Sequence, residues 1–207
     1  MYSLYRSAFF GVTLMRRVAF FVEDYAHQQI IGALVQRIAH ETGVAIECDW
    51  RNSRHGYGKL VQELKEYLRD VKRQGDIPDL LVIATDANCK GLNNRTNELP
   101  LDDCPVPTRA LAIPDPHIER WLLLDGAAFR RVFGRGCSAP DLKCERNRYK
   151  DRLRQCIYDA GITPNLGGIE FAEDIVNAMD INRAMQVDDS FNRFVSELHN
   201  VFTGWQK

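Results

Sequence analysis

The stretch LLVIATDANCK, residues 80–90, decides how the chain is read. Leu80, Leu81, Val82, Ile83 and Ala84 form an unbroken apolar run, the pattern of a strand buried on both faces. Asp86 follows almost at once, so a carboxylate stands where the strand leaves the core. In open α/β sheets that carboxyl edge is where ligands and catalytic groups gather. Asp86 is then either a polar residue at which the chain re-enters water or a member of a site.

Upstream, VAFFV at 18–22 is a second apolar run, and Glu23 and Asp24 follow it directly. Ile30, Ile31, Leu34, Val35 and Ile38 then recur at helical spacing, with Gly43 as the stop. A strand is expected over 44–50, then the loop RNSRHGYG with Arg51, Arg54 and His55. Leu60, Leu64, Tyr67, Leu68 and Val71 line one side of a helix over 59–73. Strand, helix, strand, helix, strand predicts a parallel α/β sheet with right-handed crossovers.

Downstream, residues 87–108 are polar and loop-like, and RALAI at 109–113 supplies a fourth strand. The segment PDPHIERWLLLDGAAFRRVFG at 114–134 opens a helix, with Pro116 in its first turn and Asp115 as N-cap. A loop over 137–147 leads to helices over 149–160, 168–179 and 189–202. The expected fold is α/β, a mainly parallel four-strand sheet flanked by helices with a C-terminal helical region. The expected division is an extension at 1–14, an α/β core at 15–136, and helices at 137–207 packed on that core.

The 207 residues, 45% hydrophobic and 27% charged, suffice for one substantial domain or two small ones. A net charge of −1 removes any argument from global basicity, so a nucleic-acid ligand would need a local basic patch or metal ions. No apolar run approaches the ~20 residues of a membrane span. Six cysteines without a CxxC pair or zinc spacing predict reduced structural thiols in a cytoplasmic protein. Cys137 and Cys144 are the closest pair in the chain. The opening MYSLYRSAFFGVTLMRR has a short apolar stretch between arginines and no small-residue cleavage site, unlike a signal peptide. Met15 precedes the first strand, which leaves Met1 or Met15 as the start. A nucleotide-binding phosphotransferase is disfavoured, because there is neither a GxxxxGK[ST] loop nor a GxGxxG after a strand.

Two apolar strands that both end in acids raise the interest of each. In a parallel sheet Glu23 and Asp86 lie on one edge and can approach a common point. Carboxylates brought together repel unless a cation lies between them, and oxygen ligands favour Mg²⁺ or Mn²⁺. On the alternative reading they are independent polar strand ends.

VAFFVED at 18–24 and LLVIATDAN at 80–88, in that order, resemble the TOPRIM arrangement of topoisomerases, primases and overcoming-lysogenization-defect (OLD) nucleases. With AIPDPHIERWLLLD and the late SFNRFVSEL, residues 15 to 202 are similar to a family of small stand-alone TOPRIM-like bacterial proteins. Such proteins are often encoded beside an ABC- or AAA-type ATPase in phage-defence cassettes. The resemblance implies a TOPRIM-like fold, a Mg²⁺- or Mn²⁺-dependent nuclease and an ATPase partner. It makes Glu23 a metal ligand or general acid/base, Asp86 the first acid of a metal-binding pair, and Glu119 a further catalytic acid. Asp115 and Asp125 are weaker candidates. The chain departs from the pattern at three places. Asp24 stands where glycine is usual, and His27 stands where an acid often follows. Asn88 is the second member of the acidic pair, a ligand through its carbonyl but without charge. His27 could ligate Mn²⁺ or simply sit on the first helical turn.

Arg130, Arg131 and Arg135, then Lys143, Arg146, Arg148, Lys150, Arg152 and Arg154, form a cation-rich stretch interleaved with Phe129, Phe133 and Tyr149. This is the composition of a nucleic-acid face, with Arg130, Arg131, Arg135 and Lys150 as its contacts, or of a solvated helix face. Lys143 and Lys150 are the lysines best placed to offset charge on a phosphoryl group, and Lys143 is taken as the catalytic one. Two functions compete. The chain is the nuclease effector of a defence complex, or it is a non-catalytic scaffold that docks an ATPase; self-association is compatible with either.

Overall fold

In the computed structural model, which describes residues 15–53 and 56–206, the run at 80–84 is strand β3 (Leu80–Ala84), buried throughout. Here strands and helices are numbered in chain order. The expected extension at 1–14, and Arg54 and His55, lie outside the described residues. Strand β1 (Arg16–Val22) pairs in parallel with β3, Val22 opposite Ala84. Strand β4 (Arg109–Ala112) pairs in parallel on the other side of β3, and β2 (Ile46–Asn52) on the other side of β1. The order β2–β1–β3–β4 is all parallel, as the apolar runs predict.

Alternate residues of each inner strand feed two cores. Val18, Phe20, Val22, Leu80, Val82 and Ala84 pack toward helix α1 (Tyr25–Glu41). Ala19, Phe21, Leu81 and Ile83 pack toward Leu60, Leu64, Leu68 and Val71 of α2 (Tyr57–Gln74). Each fully buried Leu or Ile contributes about 1.5–3 kcal/mol, so neither face of β3 tolerates a polar residue. Strand β2 alternates half-buried and exposed residues, with Glu47, Asp49 and Arg51 turned out, the charged pattern that blunts a sheet edge.

Two segments around the fourth strand differ from expectation. Residues 88–108 are not simply loop: a 3₁₀ turn at Asn88–Lys90 leads into helix α3 (Leu92–Asn97). Asp115 caps that helix, its Oδ2 accepting the Leu92 N–H at 3.1 Å, rather than the helix that follows it in sequence. The helix expected to run on from Pro116 is two helices, α4 (Glu119–Leu122) and α5 (Gly126–Phe133). Asp125 causes the break by capping a second start, its Oδ1 accepting the Ala127 N–H at 3.0 Å. Gly126 is required there, because an added Cβ would lie 2.1 Å from the Cys137 carbonyl oxygen.

The C-terminal region holds α6 (Arg148–Asp159), α7 (Ala172–Ala178), the unexpected α8 (Ile181–Val187) and α9 (Asp189–Trp205). Phe191, Phe194, Leu198 and Phe202 of α9 belong to the same core cluster as the α1 face of the sheet. Helix α9 also closes the β4 edge, where Glu197 Oε2 accepts the Leu111 N–H at 2.8 Å. Among the described residues no helix is long and apolar enough to cross a membrane.

The reduced-thiol expectation is corrected. Cys89 is bonded to Cys144 and Cys137 to Cys156, while Cys48 and Cys104 are free. Proximity in the chain misled, because Cys137 meets α6 and Cys144 meets the turn after β3.

Candidate active site

The strand order places the site. Sequence reading puts Glu23 and Asp86 on one edge; the fold makes their strands direct neighbours, joined by the Glu23 N–H to Ala84 C=O bond at 3.0 Å. Between β1 and β3 the strand order reverses, so this is the switch point at which open α/β sheets bind ligands. Glu23 Oε2 accepts the Thr85 hydroxyl at 2.5 Å and the Asp86 N–H at 3.3 Å, which ties the two acidic turns together. Arg95, buried in α3, donates from Nε to the Asp86 carbonyl at 2.9 Å and stacks over the Tyr57 ring at 3.8 Å. The Asp86 turn is therefore held by three elements.

Two histidines flank the Asp86 carboxylate. Oδ2 faces His117 Nδ1 at 3.2 Å, and Oδ1 accepts the Ile118 N–H at 2.8 Å. His27 Nε2 lies 3.1 Å from the same Oδ1, yet it is misaligned and has no hydrogen-bond partner. On the other side of that ring, Asp24 Oδ1 takes both the His27 backbone N–H at 3.0 Å and Nδ1 at 2.8 Å. His117 Nε2 is likewise buried without a partner. Sequence reading missed His117 altogether; its signal was the HIE triplet directly after the fourth strand.

The electrostatics are those of charges confined together. Burial works to raise the Asp86 carboxyl, but the positive charge of His27 and the bond from His117 hold it below the usual range. Burial opposes charge on His27, and the Asp86 charge and the Asp24 bond overcome it, so its pKa stands well above the ordinary value. The hydrogen bond to Asp86 raises His117. For Asp24, burial works to raise the carboxyl, but the bonds and charge of His27 and the His27 and Ala26 backbone N–H groups together lower it to about 2. Glu119 goes the other way: burial and then the charge of Asp86 both raise it. Glu119 thus belongs to the same electrostatic cluster as Asp86.

The remaining candidates divide. Asn88 takes a backbone φ of 51° and turns its amide toward the Asp86 carbonyl at 3.5 Å. Lys143 is exposed, 3.0 Å from Asp141, and its neighbour Cys144 is bonded to Cys89, which anchors this loop beside the β3 turn. Tyr149 of α6 lies 6.1 Å from His117, ring to ring. Arg131 is a structural tie to the Ala178 carbonyl and Asp125, and Arg135 donates to the Asp159 carbonyl at 2.8 Å. Arg130 and Lys150 are exposed, and no described bond joins them to the acids. The cation-rich stretch is therefore partly fold and partly surface.

Among the described residues no three His, Cys, Asp or Glu side chains are already gathered as a metal cluster. The donor chemistry nevertheless fits a divalent ion. Carboxylates of Glu23, Asp86 and Glu119 carry the charge, and two buried imidazole nitrogens lack partners. Comparison with family models, curated proteins and solved structures gave no match.

Proposed function

We propose that this chain is a divalent-metal-dependent phosphoesterase of TOPRIM type that hydrolyses phosphodiester bonds in nucleic acid. We further propose that it is the effector of an anti-phage complex with an ABC- or AAA-type ATPase. The observation that supports the chemistry most is the approach of Glu23 to the Asp86 turn at the switch point of the sheet, with Glu119 within the electrostatic reach of Asp86. Glu23 and Asp86 would hold Mg²⁺ or Mn²⁺, with Asn88 as a neutral oxygen donor. Such an ion supplies a more acidic bound water and offsets charge on the phosphoryl oxygens. Glu119, made more basic by burial and by Asp86, accepts the proton of the attacking water. Lys143, on the loop pinned by Cys144, offsets charge on the substrate phosphate, and Arg130 and Lys150 bind the flanking backbone.

The test is cleavage of single- and double-stranded DNA, RNA and tRNA with Mg²⁺ or Mn²⁺, by wild-type protein and by Asp86→Ala. Metal-dependent cleavage lost in the variant supports the reading; equal cleavage by both overturns it. A nucleic-acid substrate calls for a cytoplasmic protein, where two disulfides are unusual. Counting free thiols in protein taken from reducing cells checks this, with six expected if the bonds are open there and two if they persist.

A second reading, a non-catalytic subunit that docks an ATPase, draws on Asn88 in place of an acid and on an Asp86 whose oxygens are both already engaged. Complex function that survives Asp86→Ala in cells selects it.

A further inference from the structure

Resting on the metal-site reading above, we infer that His27 is itself a metal ligand through Nε2, and that the site therefore selects a transition-metal dication such as Mn²⁺ over Mg²⁺. Asp24 holds His27 at two atoms. As N-cap of α1 it accepts the His27 backbone N–H, and the same oxygen takes the ring at Nδ1, 2.8 Å away. One carboxylate thus starts the helix and fixes the imidazole. The hydrogen-bond network assigns the Nδ1 proton to Asp24, so Nε2 is the nitrogen that faces a metal. A metal would bind there by displacing the proton that the Asp86 charge otherwise holds on it. Metal-binding histidines are held this way, with the far nitrogen donating to a carboxylate.

Nε2 points to Asp86. His27 is only 1% exposed, and this nitrogen has no hydrogen-bond partner although Asp86 Oδ1 is 3.1 Å away. The separation is poor for that bond because the alignment is wrong. It suits two donors on one ion: ligands about 2.1–2.2 Å from a metal and at right angles stand about 3.0 Å apart. Asp86 is itself prepared, since His117 and the Ile118 N–H fix its orientation from outside the pair. The described residues hold no third donor already in place, so water and the Glu23 or Glu119 carboxylate would complete the coordination. An imidazole in the set favours Mn²⁺ or another transition ion, because Mg²⁺ prefers oxygen alone.

Calorimetric titration of the full chain with MnCl₂ and MgCl₂, and pulsed electron paramagnetic resonance of the Mn²⁺-loaded protein, test this. Mn²⁺ is expected to bind at least about tenfold more tightly than Mg²⁺, with nitrogen hyperfine coupling from imidazole. His27→Gln should abolish the coupling and weaken Mn²⁺ about tenfold, with Mg²⁺ little changed; Asp24→Asn should weaken Mn²⁺ by less. His117→Gln should keep the coupling, which excludes the other imidazole beside Asp86 even if His27→Gln does not fold. Saturable Mn²⁺ binding without nitrogen coupling, or coupling lost in His117→Gln and kept in His27→Gln, overturns the role of His27 and leaves the metal site standing. Binding of neither ion overturns both.

Discussion

Asp86 and Asp125 are aspartates of the same kind in different company. Each stands at an element boundary, and each is held below the usual carboxylate range against the effect of burial. Asp125 is 1% exposed and fully served: its oxygens accept the Ala127 N–H, the Asp180 N–H and an Arg131 N–H, all at 3.0–3.1 Å. It joins the start of α5 to the start of α8 and leaves nothing for a ligand. Around Asp86 one partner is a backbone amide, that of Ile118, and the other two are imidazoles whose Nε2 atoms are both left over. A buried acid satisfied by backbone is structure. A buried acid whose partners keep unused donors or lone pairs is a site.

Crossed substitutions at the two aspartates should separate catalysis from stability. The largest effect is expected from Asp86→Asn on catalysis: cleavage falls about 1000-fold, on the order of 4 kcal/mol in the barrier. Its unfolding free energy, by urea titration, should move by no more than about 1 kcal/mol. The amide oxygen can still accept the Ile118 N–H, the repulsion with Glu119 is removed, and His27 and His117 can release the protons that the Asp86 charge held on them. Asp125→Asn should do the reverse. An NH₂ group then faces the Asp180 amide or Arg131, costing about 3 kcal/mol, and metal affinity stays as in wild type. If both variants lose stability and neither loses metal binding, the distinction collapses.

Acid titration sharpens it further. Asp125 has a depressed folded-state pKa, so its contribution is complete above the unfolded value near pH 4 and is lost as pH falls through the folded value. The stability gap between wild type and Asp125→Asn should be constant from pH 7 to about 5 and close below about pH 4. Glu119 carries the opposite sign. Its carboxyl is raised on folding, so ionisation costs stability as pH rises past the unfolded value. Glu119→Gln should therefore stabilise the protein by up to about 1 kcal/mol at pH 7 and leave it unchanged below about pH 4, the smallest effect of the set. An unchanged melting temperature at pH 7 would show that Glu119 is not confined with Asp86.

How much was legible follows the range of the physics. Apolar runs report burial of consecutive residues, so β1, β3, β4 and the acids that end β1 and β3 could be read directly. Helix periodicity identified α1, α2, α6 and α9, because one face of each lies on a core. It failed at 114–134, where a capping aspartate inside an apolar pattern divides one apparent helix into two. It failed again at 88–97, where a short helix draws its cap from Asp115, distant in sequence. The cysteine pairing was not legible either, because which thiols meet depends on how the 137–147 loop crosses the turn after β3.

By itself the sequence determined that a parallel sheet forms and that Glu23 and Asp86 leave it on one edge, since strand burial and direction are encoded within a few residues. Only the tertiary structure decided that β1 and β3 are neighbours, that His27 and His117 close on Asp86 from separate elements, and that two of their nitrogens remain unpartnered. Those facts depend on distances between residues 31 to 90 positions apart in the chain, which no local pattern fixes.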